Sequence, residues 1–122
     1  MAISYISGVT ANAATVALGT HAAGDLILGV GYVDANATIP TLPPGWTTRV
    51  ALSNSQGSVL IAYKHAVSSS DSFGNWTTAG QVFATVWRGG PNTLIFPNYI
   101  STGSATNTTI SYGAQTAATF QT

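Results

Sequence analysis

The stretch "TLPPGWTTRV", residues 41–50, decides how the rest of the chain reads. Two prolines and a glycine stop the backbone, and a tryptophan follows at once. A proline fixes φ and has no N–H to give to a ladder, so "LPPG" lies outside any sheet. Gly45 supplies the left-handed corner that a type II turn needs after Pro44. Trp46 is then expected to open a strand whose alternation sets it on one face with Thr48, Val50 and Leu52. On this reading Trp46 is a core side chain near a sheet rim, and Pro44 and Gly45 aim it. The competing reading, a ring held out for a ligand to stack on, is the weaker of the two.

Outward from this turn, period-2 segments recur and helical periodicity does not. From residue 26, Leu26, Leu28, Val30 and Tyr32 alternate with Ile27, Gly29, Gly31 and Val33. The glycines within this segment suit a close backbone approach or a bulge better than a phosphate loop. Further on, Val59, Ile61 and Tyr63 form the apolar face opposite Leu60, Ala62 and Lys64. Phe83, Thr85 and Trp87 form the next, opposite Val82, Ala84 and Val86. Weaker strands are expected at residues 3–6, 15–18, 93–96 and 108–112. Between them lie "HAAGD", "DANATIPTLPPG", "SNSQG", "SSSDSFGN" and "RGGPN", all of turn chemistry. About eight short strands spaced this way predict an all-β fold, an antiparallel β-sandwich of jelly-roll or Ig-like type. Residues 1–122 are expected to form a single β-sandwich domain, possible as the N-terminal part of a longer chain. The low-complexity stretch 101–122 would then serve as an interaction tail.

Charge narrows the function. The chain has three basic residues, three acidic ones and no Glu, so 5% of it is charged, against about a quarter in ordinary soluble domains. No basic patch exists to neutralise phosphates, which argues against nucleic acid as a partner. The longest nearly apolar run, residues 26–33, is too short for a helical membrane span, and no basic amphipathic helix is present. The first residues, "MAISYISG", lack the basic start and apolar block of a secretory signal. The absence of Cys excludes disulfides and thiolate chemistry. A near-neutral surface favours association, because repulsion between like charges is what keeps monomers apart.

Catalysis finds little to work with. Asp25, Asp34 and Asp71 each sit in a turn, where a carboxylate ordinarily bonds nearby N–H groups. His21 and His65 fall short of the three or four ligands a zinc site needs, unless copies of the chain share a site around an axis. No nucleophile elbow and no phosphate-loop motif occurs. The chain is therefore read as no enzyme, with no cofactor and no metal. The sequons at Asn36, Asn75 and Asn107 are accidental matches in a Thr-rich chain. Arg88 is expected to pair with Asp25 or Asp34 and tie strand ends together.

Three landmarks stand in a telling order: "AAGDLILGVGYV" (residues 22–33), "LPPGWTTRV" (42–50) and "ATVWRGG" (84–90), with "LIAYKHA" (60–66) before the last. The set resembles a β-sandwich module of bacteriophage virion proteins, among them tail-fibre, minor tail and head-surface proteins. In that module a "GDLL" strand precedes a "PPGW" turn, and a later strand ends in "YRG". Trp87 stands where the tyrosine is usual, and the Trp-containing strand that follows in the module is not found after Tyr112. The likeness covers residues 20–90. It makes Asp25, Pro44, Gly45, Trp46, Trp87 and Arg88 structural landmarks and implies a structural role with no catalytic residues.

The expectation is therefore a virion structural protein, assembled in the host cytoplasm, that decorates or cements a capsid or anchors a fibre or tail. Its partners would be other virion proteins and copies of itself, as a homo-oligomer with a trimer favoured. The alternative is a carbohydrate-binding module of a receptor-binding fibre, in which Trp76 and Tyr99 would stack on sugar rings.

Overall fold

The computed structural model describes residues 3–89. The chain divides into two units, Met1–Asn92 and Thr93–Thr122, and the described residues all belong to the first. Five strands run β1 (Ser4–Ala11), β2 (Leu26–Asp34), β3 (Thr47–Asn54), β4 (Gly57–His65) and β5 (Gln81–Arg88), with no helix among them. They form one antiparallel sheet in the order β1-β5-β2-β4-β3. β2, the strand richest in apolar residues, is central, with a paired strand on either side and one of its two faces buried. β3 and β4 form a hairpin whose tight turn is braced by Gln56 N–H donating to Asn54 Oδ1 at 2.8 Å.

The register shows why one face is covered. Gly29 lies between Ala84 and Ala62, Gly31 between Val82 and Leu60, and Ile27 between Val86 and Lys64. Small side chains thus leave a trough along the middle of the sheet. Three chain segments cross it, contributing Val16 and Leu18, then Ile39, Leu42 and Trp46, then Phe73, Trp76 and Ala79. Trp76 N–H donates to the Ala14 carbonyl at 2.8 Å, and Thr41 and Thr77 exchange backbone bonds of 3.0 and 3.1 Å, so the segments brace one another. Thr78, β-branched at φ +75°, carries the strain of the tight turn in which Ala79 N–H reaches the Trp76 carbonyl.

This arrangement corrects the expected apolar faces of β4 and β5. The buried side chains are Leu60, Ala62, Val82, Ala84 and Val86, while Val59, Ile61, Tyr63, Phe83 and Trp87 point the other way. Large apolar residues mark a face that can be buried. The small ones mark the face that has room for rings from elsewhere. A second correction concerns Trp46, which lies on the covered face while Val50 and Leu52 do not. A bulge between Thr48 and Val50 inserts one residue, and a single insertion exchanges the faces of everything beyond it.

The fold is all-β and antiparallel, but the described residues hold five strands in one sheet. The first expected strand extends to Ala11, past Gly8. Residues 15–18 form no strand and instead lie over the core through Val16 and Leu18. The strands expected at 93–96 and 108–112 lie outside the described residues.

Pro44 and Gly45 form the expected turn, with Gly45 at φ +94° and no atom within 4 Å of where a Cβ would stand. Gly45→Ala should therefore cost only the left-handed backbone penalty, about 1–2 kcal/mol in a urea titration. A loss beyond that range would mean the turn is packed against something further.

Candidate functional site

The ionic centre of the described residues is a clamp at one end of the sheet. Asp25 stands in a turn closed by its own N–H to the Ala22 carbonyl at 3.1 Å, and Ala66 N–H donates to the Asp25 carbonyl at 2.8 Å. This holds the Asp25 carboxylate, 2% exposed, against the end of β5. Arg88 grips it bidentately, Nε to Oδ1 and Nη2 to Oδ2, both 2.7 Å, while Ala22 N–H donates to Oδ2 at 2.8 Å. Every lone-pair direction that matters is answered, as a buried charge requires. Of the two partners weighed for Arg88, the structure selects Asp25, and the clamp joins residues 63 positions apart.

The Arg88 guanidinium holds the Asp25 carboxyl below the usual carboxylate range, against the opposing effect of burial. Its folded pKa lies below the unfolded value, so the stability it contributes is complete above about pH 4 and is lost as pH falls through the folded pKa. Asp71 behaves likewise, chiefly through the Val67 N–H at 2.8 Å. Urea midpoints measured from pH 7 down to pH 3 should fall for the native chain and fall less steeply for Arg88→Met, which removes the largest cause of the lowered Asp25 pKa. Parallel profiles would show that the clamp is not the acid-sensitive element.

Trp76 is no stacking platform. It is 0% exposed and sits at the centre of the core, parallel to Phe73 (centroids 4.9 Å apart) and edge-on to Trp46 (5.0 Å). A ring with no open face cannot take a sugar. The "SSSDSFGN" loop before it dips inward, burying Phe73 against the Trp76 ring that fills the glycine trough. Trp46 fixes the opposite side, donating Nε1–H to the Phe73 carbonyl at 3.0 Å. Tyr99 lies outside the described residues. His21 Nδ1 is 2.7 Å from the Gly19 carbonyl, and its Nε2, like that of His65, is buried without a partner. Among the described residues no three His, Cys, Asp or Glu side chains gather where they could hold a metal ion.

What remains is the other face of the sheet. Leu28 lies between Tyr63 and Thr85, and Val30 between Ile61 and Phe83. All of these are half-buried except Phe83, which is 47% exposed. Toward β1, Tyr5 meets Trp87 edge-on at 5.5 Å, and Trp87 turns its indole N–H to Thr85 Oγ1 at 2.9 Å. Beside Phe83 an open depression of about 390 Å³ lies against Gly8, Thr10 and Thr85. Leu28, Val30, Ile61, Phe83 and Thr85, at the middle of this face, carry no charge. Tyr32 donates to Asp34 at one end (3.1 Å), and His65 stands at the other. Trp87, expected from the sequence to share an apolar face with Phe83 and Thr85, belongs to this face.

The sequence marks these residues as apolar, but alternation within one strand does not show that this is the face left open. The signal that could have found it is the pair Gly29 and Gly31 in phase with Ala62 and Ala84, which marks a seat for large rings. The opposite parity is then left for another occupant. Comparison with protein-family models, curated proteins and solved structures finds no match to this chain.

Proposed function

We propose that the chain is a structural subunit of a bacteriophage virion, one that decorates or cements a capsid or anchors a tail or fibre component through subunit packing. The observation that carries this reading is the sheet with two unlike faces. One is sealed by the chain's own loops, and the other is apolar, uncharged through its middle and open among the described residues. A contiguous apolar surface of this extent marks an interaction site. It also supports the finer reading of the fold, a β-sandwich in which this sheet is one layer.

The motif resemblance fits this reading residue by residue. The Asp25 of "GDL" meets the Arg88 of "WRGG", and the Trp46 of "PPGW" packs over the Gly29 of "LGVG". The shared residues thus serve the framework, and no reaction, cofactor or nucleic acid enters the role. The partners are other virion proteins and copies of the chain, and the place of action is the assembled particle. Quantitative mass spectrometry of gradient-purified phage particles should find the chain at a fixed copy number per particle. Its confinement to the soluble fraction of the lysate would overturn the proposal.

A further inference from the structure

We infer that the open sheet face is the docking surface for a second copy of this chain, packed face to face about a two-fold axis. This deepens the proposed function and rests on it. A partner that is itself this face must satisfy three conditions, and the face meets each.

The first is electrostatic. An isologous contact sets every group near its own image, so a charge near the axis would oppose a like charge. Leu28, Val30, Ile61 and Phe83 bring no charge to the centre, and the carboxylate of Asp34 is kept to one end. The second is area. Five strands spaced about 4.8 Å apart, each of eight or nine residues rising about 3.3 Å apiece, give a face of roughly 650 Å². Doubled, this falls at the lower end of the ~1,200–2,000 Å² of a stable, specific interface. The third is relief. Phe83 stands out from the sheet, and the depression against Gly8, Thr10 and Thr85 lies beside it. Projection and recess on one face allow two identical faces to interdigitate as sandwich layers do, about 10 Å apart.

Sedimentation velocity on the purified full-length chain tests this. The native protein is expected to shift from monomer to dimer as its concentration rises. Phe83→Lys and Ile61→Lys should each weaken the dimer at least tenfold, because each places a charge in the buried centre. Phe83 is already half exposed, so the first variant should keep the native near-UV circular dichroism. Gln56→Lys, in the exposed β3–β4 turn, should leave the dimer intact. A native dimer unmoved by both face variants would overturn the inference and leave subunit packing standing through another surface. A native chain that stays monomeric at all concentrations would overturn it too and assign the face to residues 90–122 or to a different protein. Membership of the particle, measured separately, decides the proposed function.

Discussion

Replacing Trp76 with alanine is expected to destabilise the protein by about 3–5 kcal/mol, the range for deleting a fully buried aromatic from a core. The ring is 0% exposed and touches Phe73, Trp46 and the backbone of Gly29 and Gly31, so nothing nearby can collapse into the space. Trp76→Phe should behave quite differently. The Trp76 indole N–H is buried with no acceptor, and an unsatisfied buried donor costs about 1–3 kcal/mol. Removing it offsets part of the lost contact, so Trp76→Phe should cost less than about half of the alanine change. Urea titrations of both variants measure the pair. Similar losses would mean that the indole N–H finds a partner in solution.

The second large effect is expected at the two glycines beneath that ring. A Cβ on Gly31 would stand 2.7 Å from Trp76 Cε3, and one on Gly29 would stand 2.8 Å from Trp76 Cζ2 and 2.9 Å from Trp46 Cη2. Alanine in a strand is ordinarily favoured over glycine by roughly 0.5–1 kcal/mol. Overpacking a rigid core costs about 1–3 kcal/mol, and the buried indoles cannot swing away, so the penalty wins at both positions. Gly29→Ala should be the worse, since it meets two rings. Combining Gly31→Ala with Trp76→Phe should recover about 1 kcal/mol relative to the sum of the single changes, because phenylalanine lacks the second ring. Strict additivity would place the strain elsewhere.

The strands were legible where alternation is local. β2, β4 and β5 stand where the period-2 pattern of "LILGVGYV", "VLIAYKH" and "VFATVW" predicts them, and the "PPG" turn opens β3. The faces were not legible, because which side of a strand is buried depends on what crosses over it. Gly29 and Gly31 look weak in a strand until Trp46 and Trp76, brought from loops 15 or more residues away, fill the space above them. The bulge at Arg49 is equally silent, since one extra residue in "TTRVAL" leaves no mark in composition yet puts Trp46 and Val50 on opposite sides. The same two causes hid the candidate site. Trp76 follows a polar loop and so resembles a presented ring. Phe83 and Ile61, which do face outward, look like ordinary core residues. The Asp25–Arg88 clamp could be anticipated because both residues sit at strand ends, and only the choice between Asp25 and Asp34 required the register.

The most direct measurement uses the absence of cysteine from the chain. A single reporter at Ile61→Cys reads the open face, and one at Val82→Cys reads the sealed face on the neighbouring side of the sheet. With a thiol reagent, the Ile61 reporter is expected to react quickly in dilute protein and to become protected as concentration rises, while the Val82 reporter stays protected throughout. An Ile61 reporter that reacts equally fast at every concentration, or that is protected even at the lowest, would contradict a face reserved for neighbouring subunits.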